Sequence, residues 1–166
     1  YLDGFYYKPR VDKALLKKYN EGLIATSACL AGEVTRFAAQ GDYENCKKAA
    51  IEYTEIFPDR FYIELQNHNI PEELASHDIL KKVSKELSIP LVATNDNHYC
   101  MEDHWEAHDV LFCLGTSKDR NDPNRHRYEP RQFYIKSADE MYHLFKDTPE
   151  ALENTLRIAE QCKVDI

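Results

Sequence analysis

No run of eighteen apolar residues occurs in this 166-residue chain, so no segment reads as a membrane-spanning helix. The opening residues, YLDGFYYKPR, lack the pattern of an export signal, and the expected location is cytoplasmic. CxxC pairs are missing as well. The five cysteines, Cys29, Cys46, Cys100, Cys113 and Cys162, are odd in number and scattered. That argues against a disulfide framework and suits a reducing compartment. Basic residues are in short supply, 21 against 29 acidic ones, for a net charge of −8. Bulk positive potential therefore does not draw the chain to nucleic acid, and any phosphate contact has to be local or assisted by a metal. GxxxxGK, GxGxxG and GxSxG are absent, which leaves nucleotide-loop and serine-hydrolase readings without support. An initiator methionine is lacking too, and the chain reads as a piece of something longer.

What is present suits a soluble globular domain: 43% hydrophobic and 30% charged residues, in a chain long enough for one compact core. Helical and extended patterns alternate. Asp12 caps a short helix over VDKALLKKYN, and the apolar run GLIATSAC follows as a strand. Asp42 caps DYENCKKAAIEYTEIF, where Cys46, Ala49, Ala50, Tyr53 and Ile56 share one helical face before Pro58. RFYIELQ is the second strand. Pro71 opens the helix PEELASHDILKKVSKEL, with Leu74, Leu80, Val83 and Leu87 inward, and IPLVATN is the third strand. This order predicts parallel βα units in an α/β architecture.

The remainder is less regular. EDHWEAHDVLFCLG reads as a helix, TSKDRNDPNRHRYEPRQ as a polar loop and FYIKS as a short strand. Ser137 and Glu140 form a capping box for ADEMYHLF, and Thr148-Pro149 opens PEALENTLRIAEQC.

In parallel α/β folds, chemistry collects at the carboxyl ends of the strands, where loops are held by the rigid sheet below. Each strand here ends in a polar candidate. The first ends at Cys29, the second runs through Glu64 and Gln66 to His68, and the third, in LVATNDNHYC, reaches Asp96 and His98. Glu64, Gln66 and His68 share one parity, as do Thr94, Asp96 and His98, so each set can face one interior if the chain stays extended. Cysteine, histidine and aspartate together suit zinc or a comparable transition metal. Plainer readings stand beside this one. Cys29 fits a small buried hydrophobe, His68 a loop or core residue, and Asp96 with His98 an Asx-type turn.

Two other clusters carry less weight. His104 and His108 in HWEAH have metalloprotease spacing, but Glu106 is not the residue that HExxH requires. Lys118, Arg120, Arg125, Arg127 and Arg131 are interleaved with Asp119, Asp122 and Glu129, and a solvated loop is the favoured reading.

The segments GFYYKPRVD, GLIATSACLAGEV, YIELQNHNIPE, IPLVATNDNHY, EAHDVLFCLGT, DPNRHRYEPRQFYIKS and PEALENTLRIAEQC resemble, in that order, the PHP (polymerase and histidinol phosphatase) domain of bacterial DNA polymerase III alpha subunits. The resemblance covers nearly the whole chain. It implies a distorted (βα)7 TIM-like barrel with a metal cluster, zinc or manganese, at the strand ends, and carries its ligand positions onto Cys29, His68, Asp96 and His98. Asp96 is the implied catalytic residue of a 3′–5′ exonuclease or phosphoesterase. A non-catalytic brace that docks other replisome subunits, or a free-standing phosphatase, are the alternatives.

The family's first strand bears an HxH motif, and no HxH occurs here. The resemblance therefore implies that residues 1–115 are later βα units of the barrel. Residues 116–166 are then a loop, short strand and helical extension leading toward the polymerase palm. The magnesium-dependent polymerase aspartates, and the DNA they act on, would belong to sequence beyond Ile166.

Overall fold

The structure, a computed structural model, describes residues 4–163. The outer ends of the two expected segments, 1–3 and 164–166, lie outside the described residues. A small antiparallel hairpin comes first, β1 (Phe5–Tyr6) and β2 (Lys8–Pro9), turning at Tyr7 with φ 58°. Helix α1 (Lys13–Lys18) follows, and the Asp12 carboxylate accepts the Leu15 N–H at 2.7 Å, as the cap pattern predicts.

The strand expected up to Cys29 is only two residues long, β3 (Ala25–Thr26). The chain stops being extended at Ala28, with φ 59°, and turns back so that the Gly32 N–H meets the Cys29 carbonyl at 2.8 Å. A helix that the sequence pattern did not reveal begins there, α2 (Glu33–Ala39), burying Val34, Thr35 and Ala38. Then come α3 (Tyr43–Ile56) capped by Asp42, β4 (Phe61–Gln66), α4 (Pro71–Leu87) and β5 (Leu91–Thr94). A 3₁₀ turn (Glu102–His104) leads into α5 (Trp105–Thr116), and α6 (Ala138–Leu144) and α7 (Pro149–Gln161) close the chain.

The three strands form one parallel sheet in the order β3-β4-β5, with Ala25 opposite Phe61 and Ile63 opposite Leu91. The α/β reading of the sequence therefore holds, as a three-stranded parallel sheet with helices. β4 is central, and its parity divides its work. Phe61, Ile63 and Leu65 join Val34, Ala49, Ala50, Leu80 and Val83 in the apolar core, while Glu64 and Gln66 occupy the other face.

Helix α4 buries Glu73, Ser76, Leu80, Val83 and Ser84. Leu74, expected inward, is instead 44% exposed. Its first turn directs Glu73 to the interior, and the neighbouring position is rotated out to solvent. Helix α7 is tied to β5 by Asn154, whose side-chain amide donates to the Leu91 carbonyl at 2.7 Å. The expected FYIKS strand contracts to a single parallel bridge, Tyr99 with Tyr134. Among the described residues no helix is long and apolar enough to cross a membrane.

Candidate metal centre

The carboxyl ends of β4 and β5 are cross-linked by a buried carboxylate. Glu64 accepts from Thr26 Oγ1 at 2.5 Å, from Gln66 Nε2 at 3.0 Å and from the Thr94 hydroxyl. Its own N–H donates to Ser27 Oγ at 2.9 Å. Glu64, Gln66 and Thr94 thus share one face, as period-two counting predicts. Gln66 Oε1 is buried there without a hydrogen-bond partner among the described residues.

Past Gln66 the chain leaves the sheet, with Asn69 at φ 60°. His68 is fully buried at this exit. Its backbone N–H donates to Glu73 Oε2 at 2.7 Å, and its Nδ1 lies 2.9 Å from Glu73 Oε1. Its Nε2 accepts the Asp96 N–H at 3.1 Å. With Nε2 accepting, the ring proton is assigned to Nδ1. Phe133 stacks on the ring, with centroids 4.6 Å apart and planes 12° apart.

Asp96 and His98 converge, with Oδ1 and Nε2 3.3 Å apart, and both side chains remain accessible to solvent. The loop that carries them is held from the far side by Phe133, whose carbonyl accepts the His98 N–H at 2.8 Å and the Tyr99 N–H at 3.2 Å. Tyr128 lies against the His98 ring at 4.3 Å, and His108 is 5.6 Å away. Burial lowers the pKa of His108, and the nearby His98 acts in the same direction. Lys136 donates to Asn95 Oδ1 at 3.2 Å beside this loop, and burial lowers its pKa as well.

Cys29 is half-buried and opens on a small cavity shared with Glu64, Gln66, Glu73 and Ser76. The structure therefore joins Asp96 with His98, and His68 with the Asp96 backbone, while Cys29 faces the neighbouring cavity. Among the described residues no group of three or more histidine, cysteine, aspartate or glutamate side chains is arranged to hold a metal ion. All five cysteines are free.

The basic loop is more ordered than a solvated run. Arg125 is buried and forks onto Asp109 in α5 at 2.6 and 2.7 Å, holding the Asp109 carboxyl below the usual range. Arg131 stacks over Trp105 at 3.5 Å, and Arg120 reaches Glu106 at 2.6 Å. Arg120, Arg125, Arg131, Trp105, His108 and Tyr128 line a cleft of about 200 Å³ next to His98. His104 is exposed, whereas His108 packs among aromatic rings.

Residues 1–68 match the PHP domain family model. The DNA polymerase III subunit alpha of Borreliella burgdorferi is 47% identical over 162 residues, 98% of this chain and 14% of its own length. That of Campylobacter jejuni is 44% identical over 177 residues, covering 100% of this chain and 15% of its own length. That of Thermus aquaticus is 37% identical over 169 residues, again with 100% of this chain and 14% of its own. The chain belongs with the PHP domains of DNA polymerase III alpha subunits. It spans about one seventh of the length of these relatives. The PHP family match includes Cys29 and His68, and Asp96 and His98 fall in the stretch shared with the alpha subunits.

Sequence reasoning missed Glu73, Phe133 and Tyr128. Glu73 left a trace, because an acidic residue in the first turn of a proline-led helix, five residues after His68, is placed to reach back to it. Phe133 and Tyr128 left none, since their approach depends on the fold of residues 117–133.

Proposed function

We propose that this chain is part of a metal-dependent 3′–5′ exonuclease or phosphoesterase centre within a cytoplasmic replicative DNA polymerase. The observation that carries this reading is the convergence of Asp96 and His98 at 3.3 Å beyond the carboxyl end of β5. A carboxylate and an imidazole, with the Cys29 thiol on the turn that follows β3, are a donor set that suits zinc or manganese. The partnerless Gln66 Oε1 nearby fits a site completed by groups outside residues 4–163. The remaining donors and strands of a distorted (βα)7 TIM-like barrel would come from sequence outside this chain, as would the magnesium-dependent nucleotidyl-transfer site and the contacts to DNA and other replisome subunits.

In this reading Asp96 and His98 hold the ion and Cys29 adds a thiolate. His68, among the four positions of the resemblance, meets the site through Nε2, the nitrogen already engaged by the Asp96 N–H. A bound ion supplies Lewis acidity toward a phosphodiester and a nucleophile from water near neutral pH. The protein orients the donors through the β5 exit loop and walls one side with Tyr128 and Phe133.

The test uses the full-length polymerase free of any separate proofreading subunit. Asp96→Asn is expected to lower removal of a mismatched 3′ nucleotide about 100-fold or more, the scale of deleting one charge-stabilising group, while nucleotide addition persists. Unchanged trimming, with a fall in polymerase stability instead, would assign the domain a bracing role.

A further inference from the structure

Four guanidinium groups line the cleft between α5 and the loop that follows it, those of Arg120, Arg125, Arg127 and Arg131, against the carboxylates of Asp109 and Glu129. This local excess of positive charge stands out in a chain whose net charge is −8. We propose that the cleft is a binding site for one nucleotide unit, its phosphate held by Arg120, Arg127 and Arg131 and its nucleoside against Trp105 and Tyr128. The site needs no metal and so goes beyond the reading above. Arg125 belongs to the wall, because it is buried and takes both oxygens of Asp109. The other three can turn to a ligand. Arg127 donates to two carbonyl oxygens, of Arg120 at 3.4 Å and Asp122 at 3.0 Å, and makes no ion pair among the described residues. The Asp122 carboxylate beside it is taken by Lys118 at 3.2 Å. Arg120 pairs with Glu106 at 2.6 Å and reaches Asp109 at 3.4 Å, and Arg131 lies 3.5 Å from Glu129. The Glu106 and Glu129 pairs join exposed side chains, a weak kind of contact that another anion readily replaces. Phosphate is the stronger partner, since its several charged oxygens match the planar fork of a guanidinium.

The aromatic side chains in the same cleft argue for a nucleotide rather than a bare phosphate. Trp105 and Tyr128 line it, and the Arg131 guanidinium already lies over the Trp105 ring at 3.5 Å, held there by a left-handed backbone with φ 66°. Ring faces next to guanidiniums are the combination that takes a base by stacking and its phosphate by charge. An acidic peptide would use the arginines and leave the rings idle. The volume of about 200 Å³ is below the range of about 300–1,000 Å³ for pockets that enclose drug-sized ligands, so the cleft takes one unit and not a run of them. Tyr128 also touches the His98 ring at 4.3 Å, which sets the cleft directly beside the Asp96–His98 pair.

The experiment photo-cross-links the full-length polymerase with 5-iodo-deoxyuridine monophosphate and, separately, with a single-stranded oligonucleotide ending in 5-iodo-deoxyuridine, and maps the labelled peptides by mass spectrometry. Saturable labelling within residues 99–131 is expected. Labelling by the free monophosphate assigns the site to mononucleotides, labelling by the oligonucleotide to a strand end, and either upholds it. Arg120→Gln and Arg127→Gln keep an amide donor and lose the charge, and each is expected to raise the half-saturating probe concentration about 10- to 100-fold, the scale of a charge-assisted hydrogen bond. Glu106→Gln releases Arg120 and is expected to lower that concentration severalfold, a gain that loosened packing does not produce. Arg120→Gln carries the test if Arg127→Gln opens the loop to proteases. Absence of labelling in residues 99–131, equal labelling by the phosphate-free nucleoside, or wild-type labelling in both arginine variants would overturn the site. Displacement of the probe by a glutamate-rich peptide but not by deoxyuridine monophosphate would overturn it too and assign the cleft to an acidic protein partner. No readout here involves metal or nuclease turnover, so failure of the metal reading shows separately, in the metal content of the Asp96→Asn, His98→Ala double variant.

Discussion

Arg125 presents two guanidinium nitrogens to the two carboxylate oxygens of Asp109, at 2.6 and 2.7 Å, and this fork fastens the loop after α5 back onto that helix. A lysine cannot reproduce it, because a point charge replaces a planar pair of donors. Arg125→Lys is expected to speed proteolytic cleavage within residues 117–131 several-fold. The Asp109 carboxyl lies below its ordinary range chiefly because Arg125 donates to it. A depressed folded-state pKa stabilises above the unfolded value and loses that contribution as pH falls through the folded one. The wild-type loop should therefore stay docked to lower pH than in Arg125→Lys, and limited proteolysis across an acid series checks this.

Glu140 is a second acidic marker. Its carboxyl is pushed down to about 2, first by the Ser137 N–H, then by the Tyr134 and Ser137 hydroxyls. Its stabilising effect on α6 is full above the ordinary glutamate range and fades as pH falls toward about 2. An NMR titration of the carboxyl carbon should place its midpoint there. Ser137→Ala should raise the midpoint and cost the helix about 1 kcal/mol, the usual loss for an N-cap serine. An unmoved midpoint would contradict the capping geometry.

Two leucines of α4 test the packing directly. Leu80 is 1% exposed and Leu74 is 44% exposed. Leu80→Ala should destabilise by about 2–5 kcal/mol, whereas Leu74→Ala should cost well under half as much. Urea unfolding of the two variants decides, and similar losses would mean that the helix face is wrongly assigned.

That pair also illustrates what was legible in the sequence. The helix itself announced its start through Pro71, and Leu80 and Val83 followed from period 3.6. Leu74 did not, because the first turn is oriented by a polar contact, Glu73 to His68, that hydrophobic periodicity does not register. Helix α2 was hidden for a similar reason. It is short, begins at Gly32 without a side-chain cap, and follows a left-handed Ala28 that ends the strand early.

The candidate site was legible to the same depth. Strand-end logic selected Asp96 and His98, and these two side chains do meet. It also aligned Glu64, Gln66 and Thr94, which share a hydrogen-bonded face. The extension of that parity to His68 assumed an extended chain, but the backbone leaves the sheet after Gln66 and reaches a left-handed Asn69. What His68 touches is decided by tertiary approach of Glu73, Asp96 and Phe133, and no local pattern encodes it.

The central claim, that Asp96 and His98 answer to one cation, is tested most directly by metal content. Full-length wild-type protein and the Asp96→Asn, His98→Ala double variant are purified identically and subjected to elemental analysis for zinc and manganese, with thermal melts alongside. The account predicts zinc or manganese in the wild type that is lost from the double variant while the melting profile is retained. Equal metal content in the two proteins would contradict it.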